Sequence, residues 1–448
     1  MALIQRQHAV VIGASMAGLL AARVLSDHFE RVTVIERDTL PDEAAHRAGV
    51  PQSRHVHGLL VRGLDILRDL FPGLDADLDA GGVETIEWMT QTIQRMATGW
   101  TPIYASGIHT RPITRALLES IVRRRVMALQ NVTFRTGWQV TRLCASPDNT
   151  RVTGVEIEPR RKSDDAPPVQ ALPADLVIDA SGRGSQAPAW LEALGYRPPK
   201  TVTVNGRLGY ASRMYRLKDG CDPAWRVLLM ITTTAFPRGG VFTVVEKDTW
   251  MLTMAGVGDH VPPTDEDGLN AFVKSLGSAP LDEVMAHAEP ISPIYGYRRT
   301  ENRRVDYHKL SRMPHGFAVT GDAVCAFNPV YGQGMTAAAV AATALDASLR
   351  AGWDERAFQK RLAAGNQQCW LMAVCEDARY PSTEGVRHRW VYSLLNRWND
   401  WLFAGMPHSP TITQTFLKVM HLLAPPTALM HPRMIRERLR LSRRLRVG

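Results

Sequence analysis

The sequence predicts an α/β chain in which a parallel-sheet domain is interrupted by an antiparallel sheet and followed by a helical C-terminal region. Three observations predict it. The chain opens strand–turn–helix–strand. Residues 201–254 hold long alternating strands with no helix between them. From about Asp354 the pattern is helical, rich in Trp and broken by Pro407, Pro410, Pro425, Pro426 and Pro432.

Taken in order, His8-Ala-Val-Val-Ile12 is a short continuous apolar run, as in a strand buried on both faces. Arg6 and His8 ahead of it imitate a signal peptide, but Gly13, Ser15 and the lack of an A-x-A site favour a strand entering a turn. Gly13-Ala-Ser-Met-Ala-Gly18 follows, then a helical pattern through Leu19, Leu20, Val24 and Leu25, then Arg31-Val-Thr-Val-Ile-Glu36 as a second strand ending in an acid. That is a βαβ unit. Residues from about Leu74 to Pro102 lose the pattern. Ile108–Leu129 reads as a helix, and Val132–Phe134, Gln139–Cys144 and Val152–Ile157 as strands, with a polar turn at Asp164–Pro168. Ala174–Ala180 is another buried strand, followed by Ser181-Gly-Arg-Gly-Ser185. Gly316–Thr320 returns to the parallel sheet, and Gly334 onward is helical. The predicted boundaries are 1–75, 105–195 and 300–350 for the nucleotide-binding domain, 76–104 and 196–299 for the antiparallel substrate domain, and 351–448 for the helical region.

At 448 residues the chain is too long for one simple core, and 45% hydrophobic with 22% charged residues is an ordinary globular composition. Apolar stretches such as Met335–Leu345 fall short of the roughly 20 residues of a membrane span. Five scattered cysteines without a C-x-x-C fit a reduced, cytoplasmic setting and give no disulfide framework. The net charge of +9 is concentrated at the end, where Arg433–Arg446 holds seven Arg and one Glu. No interleaved aromatics or recognised motif accompany it, so no nucleic-acid partner is expected. A solvated, frayed helix accounts for this tail. The sharper reading is peripheral docking at the inner face of a membrane, because Met434, Ile435, Leu439 and Leu445 can share one helical side.

Gly13-x-Ser15-x-x-Gly18 with Glu36 carries the first chemistry. A tight turn, close approach of backbone to a pyrophosphate, and helix–strand packing are the three tasks of this fingerprint, and the pyrophosphate sits on a helix N-terminus. Glu36, eighteen residues past Gly18, is placed to accept from adenosine ribose hydroxyls. Gly13-x-Ser15 also resembles a hydrolase nucleophile elbow, but Ala17 stands where its last Gly belongs. The fingerprint alone permits NAD or FAD. Gly321-Asp322 after a buried strand, with Asn328-Pro-Val-Tyr-Gly-Gln-Gly-Met-Thr336 running into a helix, favours a flavin. The carboxylate suits a ribityl hydroxyl, Gly332 and Gly334 let backbone approach a flat ring, and the helix start stabilises negative charge on the reduced ring.

These segments resemble the FAD-dependent monooxygenases of the aromatic-hydroxylase fold. Val-Val-Ile-Gly-Ala-Ser-Met-Ala-Gly with Glu36 matches their first motif, Asp179-Ala-Ser-Gly-Arg-Gly-Ser185 their second, and Gly321-Asp322 through Gly334-Met-Thr their third, in a form close to squalene epoxidases. Arg47–His57 and Phe416–Ala428 are similar to bacterial epoxidases acting on polyene precursors of polyethers. The resemblance implies a Rossmann-like FAD-binding domain. It implies FAD contacts for Gly13, Ser15, Met16, Ala17, Gly18, Glu36, Arg37, Arg47, Gln52, Arg115, Val140, Asp179, Gly182, Asp322, Pro329, Gly332, Gly334 and Met335. The departures are Ser15 in place of a glycine and Ala-Ser inside the second motif. The Trp-x-Trp-x-Ile-Pro signature of flavin halogenases is absent.

The implied activity is transfer of one oxygen atom from O₂ to an apolar substrate, by epoxidation or ring hydroxylation through a flavin C4a-hydroperoxide. Reducing equivalents come from NAD(P)H directly or through a separate flavin reductase. A prenyl-chain reductase and a non-catalytic binding protein are the alternatives on this scaffold. No metal is expected, because His55 and His57 at i and i+2 lack a third ligand. Val227–Ile231 and Val241–Val245 are the candidate substrate wall. Trp88, Trp100, Trp370, Trp390, Trp398 and Trp401 read first as core residues, some of them able to line an apolar tunnel.

Overall fold

The computed structural model describes residues 6–161 and 167–447. The strands and helices that position the site are β1 (His8–Ile12), α1 (Met16–Ser26), β2 (Arg31–Glu36), β3 (Thr92–Met96), α2 (Arg115–Met127), β4 (Val132–Thr136), β5 (Leu176–Asp179), β6 (Leu208–Leu217), β7 (Val227–Met230), β8 (Arg238–Val244), β9 (Thr249–Val257), β10 (Phe317–Val319), α3 (Gly334–Arg350), α4 (Glu355–Asp377), α5 (Arg389–Phe403), α6 (Pro410–Met420) and α7 (Pro432–Val447).

The continuous apolar runs form a five-stranded parallel sheet in the order β10-β5-β1-β2-β4. Every residue of β1 and β5 is buried, as expected of strands covered on both faces. The main core joins this sheet to α1, α2 and α3. It extends into α4, where Phe358, Leu362, Cys369 and Val374 are buried and Gln359 Nε2 donates to the Val319 carbonyl at 2.8 Å.

A second, eight-stranded sheet contains β6-β9-β8-β7-β3 as consecutive neighbours, with β7 and β3 parallel and the other pairs antiparallel. Period-2 alternation divides its faces. Leu228, Phe242, Trp250, Leu252 and Met254 pack beneath the helices Glu266–Ser275 and Ala279–Met285. On the other face the register lines up Ser212, Thr253, Val241, Leu229 and Gln94 across β6, β9, β8, β7 and β3.

Two sequence readings need correction. Thr201–Val204 does not join the large sheet but pairs antiparallel with Asn302–Val305, since both strands flank the point where the chain leaves and re-enters the first domain. The helix read over Ile108–Leu129 begins only at Arg115, capped by Thr114 Oγ1, which accepts from Leu117 N–H. Ahead of it, His109–Thr110 pairs with Ile86–Glu87 and Pro112 intervenes. In α7, Met434 and Leu441 are buried against Leu402, Met406 and Ile412, while Ile435 is half-buried. Leu439 remains 48% exposed, and the Leu445 side chain lies outside the described residues. Residues 164–166 of the polar turn also lie outside them. Among the described residues no helix is long and apolar enough to cross a membrane.

Candidate active site

Three glycine turns separated by more than a hundred residues meet at the carboxyl edge of the parallel sheet. Ala180 N–H donates to the Ile12 carbonyl at 2.9 Å and Thr320 N–H to the Asp179 carbonyl at 2.8 Å, so β1, β5 and β10 end together. Gly13 has φ +100°, and a Cβ there would stand 2.7 Å from the Ala180 carbonyl oxygen. A Cβ on Gly18 would lie 1.8 Å from the Gly13 oxygen, and one on Gly321 (φ +62°) 2.6 Å from the Ala17 Cβ. Backbone therefore packs on backbone around the first turn of α1. Ser15, at the N-cap, makes no side-chain capping bond, which leaves the helix's first N–H groups and positive end for an anion.

A buried charge cluster surrounds this turn. Glu36 accepts from Ala14 N–H at 2.8 Å and Asp38 N–H at 2.9 Å, and pairs with Arg47 Nη1 at 3.1 Å. Arg47 also donates to the Ala14 carbonyl at 3.1 Å and pairs with Asp38 and Glu119 at 3.3 and 2.9 Å. Arg115 donates to Ser15 Oγ at 2.7 Å and to Glu119 at 2.8 Å. The serine that replaces a fingerprint glycine thus anchors a guanidinium. Burial works to raise the Glu119 carboxyl, but Arg115 and Arg47 outweigh it and hold it below its ordinary range. Glu119 was not anticipated; its only signal was its i, i+4 spacing from Arg115. A carboxylate, two guanidinium groups and an uncapped helix start are the kinds of group that would fit the dinucleotide half of FAD.

The other positions expected to contact FAD spread around this centre. Met16 and Ala17 are the first residues of α1. Arg37 is exposed just past β2, and Gln52 is half-buried in the turn Pro51–Arg54. Val140 is half-buried on Trp138–Ala145. Asp179 is fully buried and spends its carboxylate on its own turn, accepting from Ser181 N–H at 2.9 Å and Ser185 Oγ at 2.5 Å; burial raises its pKa. Gly182 has φ +80° with open space over its Cα. Arg183 ties this turn to Glu301 at 2.8 Å and to the Phe327 carbonyl at 3.2 Å.

The third motif follows β10. Asp322 is half-buried and accepts no side-chain hydrogen bond among the described residues. Burial raises its carboxyl, and Arg183, Arg115 and Arg303 pull it the other way. Pro329 opens a short turn that ends at Gly332 (φ +65°), whose added Cβ would stand 3.5 Å from the Gly58 Cα. Nothing stands within 4 Å of a Cβ on Gly334, and Met335 is buried at the start of α3. The Gly332 backbone thus packs on Gly58, and the open side of Gly334 is where a flat ring can approach.

Asp377, at the end of α4, fixes that loop. Its carboxylate accepts from Tyr331 Oη at 2.7 Å, Asn302 Nδ2 at 2.6 Å and Asn328 Nδ2 at 3.2 Å. Burial pushes its pKa up from 3.8 to about 6 against those hydrogen bonds. The folded chain then binds the proton more tightly than the unfolded chain. Stability is greatest below pH 4 as far as this group is concerned, and falls as pH rises through about 6. The span corresponds to about 3 kcal/mol. Urea midpoints taken from pH 4 to 7 are expected to show this slope in the wild type and its loss in Asp377→Asn; parallel profiles would contradict it.

His55 and His57 link the two sheets. His55 Nδ1 bonds Ser212 Oγ at 2.8 Å, Ser212 bonds Thr253 at 2.6 Å, and Thr253 Oγ1 accepts from Val56 N–H at 3.2 Å. His57 Nδ1 donates to the His55 carbonyl at 2.9 Å. Burial lowers His55 to about 3 and His57 to about 4, so both rings are neutral at neutral pH. Beyond them, Leu229 and Val241 remain half-buried in the middle of the sheet. The tryptophans divide: Trp370 is core, Trp390 is 67% exposed, and Trp88 lies edge-to-face beside His421.

No family model matches the chain. Protein Rv3254 of Mycobacterium tuberculosis (strain ATCC 25618 / H37Rv) is 36% identical over 435 residues, covering 93% of this chain and 90% of that protein. Among solved structures, the flavin-dependent brominase Bmp2 superposes with a TM-score of 0.66 at 16% identity, covering 99% of this chain and 100% of that one. The myxobacterial chondrochloren halogenase CndH gives 0.61 at 14% identity, covering 93% and 96%. 2-Methyl-3-hydroxypyridine-5-carboxylic acid oxygenase gives 0.59 at 18% identity, covering 94% and 98%. The chain has the fold that flavin-dependent halogenases share with FAD-dependent monooxygenases of the aromatic-hydroxylase type.

Proposed function

The chain belongs to the same family as Protein Rv3254 of Mycobacterium tuberculosis, and from that premise we propose that it is an FAD-dependent monooxygenase acting on a largely apolar small molecule. The observation that carries this reading is the meeting of three glycine turns and two guanidinium groups at one sheet edge. Gly13, the start of α1, Arg47 and Arg115 would hold the pyrophosphate. Glu36 would hold the adenosine ribose and Asp322 the ribityl chain. The positive end of α3 would face the pyrimidine side of the ring.

Bound FAD supplies the redox chemistry with O₂. The chain's own task is to orient the substrate and keep water out, which the large sheet and the C-terminal helices do. Neutral His55 and His57, already spent on hydrogen bonds, are not needed as acid or base. Epoxidation or hydroxylation, with electrons from NAD(P)H directly or through a separate reductase, is the form of the reaction proposed. Peripheral membrane contact would rest on the exposed arginines of α7 and on Leu439.

The test uses FAD-loaded protein, NADPH with a flavin reductase, a polyene probe and isotopically labelled O₂. Label in the organic product is expected, without added halide. Product formed without oxygen would indicate a reductase, and product formed only with halide would indicate a halogenase. Reoxidation at the rate of free reduced FAD, with no product, would overturn the reading.

A further inference from the structure

The first half of α5 carries its polarity in reverse. The buried residues of this helix are Asn396 and Leu402, whereas Trp390, Val391 and Leu394 stand in solvent at 67, 36 and 55% exposure. Asn396 goes inward because its amide donates to the Cys375 carbonyl and accepts from Cys375 Sγ, both at 2.9 Å, which ties α5 to α4. Trp390, Leu394 and Arg397 then share one stripe, opposite the half-buried Tyr392, Leu395 and Asn399, with Val391 at its margin. A surface helix normally packs its apolar stripe on the core and gives water the polar one. Adjacent aromatic and aliphatic side chains left outside mark a face that meets something else.

Charge identifies the partner. Residues 378–448 hold twelve Lys and Arg against three Asp and Glu, so the whole net charge of +9 lies here, and the first 377 residues balance at 41 of each. The three acids are occupied: Glu384 pairs with Arg207, Asp400 with Arg379 at 2.7 Å, and Glu437 accepts from Ser409 Oγ at 2.9 Å. Arg387 and Arg397, on either side of the apolar residues, are exposed and pair with no carboxylate among the described residues. Arg438 of α7 donates to the Trp401 carbonyl at 2.7 Å and joins that helix to α5; Arg433, Arg436, Arg440 and Arg443 are exposed along it. A second copy meeting this face about a two-fold axis would set arginines of one copy close to those of the other. An anionic lipid surface accepts both kinds of group, with apolar side chains below the headgroups and guanidinium groups reaching back to phosphate. We propose that α5 lies flat in the interface of an anionic bilayer, with Trp390, Val391 and Leu394 inserted and Arg387 and Arg397 on lipid phosphates. This anchor extends the contact proposed for α7, is separable from it by mutation, and does not depend on the flavin.

The test is co-flotation of the full-length protein, at about 0.1 M salt, with vesicles of phosphatidylcholine alone or mixed with an equal part of phosphatidylglycerol. Partition onto the anionic vesicles is expected to exceed that onto the neutral ones at least about tenfold. Trp390→Ser combined with Leu394→Ser should weaken it about a hundredfold, and Arg387→Gln combined with Arg397→Gln about tenfold. These residues face solvent, so the thermal midpoints of both variants should match the wild type within about 1–2 °C. Equal partition onto the two kinds of vesicle overturns the proposal. So does wild-type flotation of the Trp390→Ser, Leu394→Ser chain when Arg436→Gln with Arg440→Gln abolishes it, which would leave the contact to α7 alone. A wild-type dimer that becomes monomeric on the Trp390→Ser, Leu394→Ser change would assign the face to a second copy and also overturn it. A chain that binds no FAD yet floats with anionic vesicles would sink the oxygenase reading and leave the anchor standing.

Discussion

Glu36→Ala is expected to lose stability and FAD together. Its carboxylate occupies the buried N–H groups of Ala14 and Asp38 and shares Arg47. Leaving two buried donors unmatched costs about 1–3 kcal/mol each, so the urea midpoint should fall by the equivalent of about 3 kcal/mol or more. FAD affinity should drop roughly ten- to a hundredfold with the lost charge-assisted bonds. Asp322→Ala separates the two effects, because Asp322 accepts no side-chain hydrogen bond among the described residues and its burial already disfavours the charge. It should lose FAD over a similar range with an unchanged midpoint. Wild-type FAD affinity in both variants would remove these residues from the site.

Gly18→Val is the second large effect. A Cβ at Gly18 would stand 1.8 Å from the Gly13 oxygen, and Gly13 cannot retreat because its own Cβ position is already 2.7 Å from the Ala180 oxygen. Strand and helix would have to separate at the crossing that forms the anion cradle. Overpacking of this kind costs about 1–3 kcal/mol where the core can yield, and more here, where the clash is with backbone. The variant is expected to be recovered poorly or without FAD. Gly334→Ala provides the contrast, since nothing lies within 4 Å of its Cβ. Its melting temperature should match the wild type, and a Gly18→Val chain that did the same would refute the packing argument.

What was readable in the sequence was local. The run His8–Ile12, the Gly13–Gly18 turn and the acid at Glu36 are contiguous, so period and spacing describe them without reference to the rest of the chain. The three motifs could be recognised separately, but only the strand order brings Gly13 beneath Ala180 and Gly321 onto Ala17. Residues 74–102 were opaque because their elements are two to seven residues long, too short to show a period. Asp377 escaped notice because its partners Asn302, Asn328 and Tyr331 lie far off in sequence, and Glu119 because its i, i+4 pairing with Arg115 reads as an ordinary helix pair until the distant Arg47 joins it. In α7 an amphipathic period announces that one side can be covered, but not by what: Met434 and Leu441 pack on the chain's own α5 and α6 region, while Leu439 stays exposed.

The most direct measurement is the stoichiometry and affinity of FAD for the purified chain, followed by visible absorbance and quenching of flavin fluorescence. One tightly held FAD per chain, weakened by Glu36→Ala and by Asp322→Ala, is the expected result. A colourless protein that takes up no added FAD would contradict the account at its root.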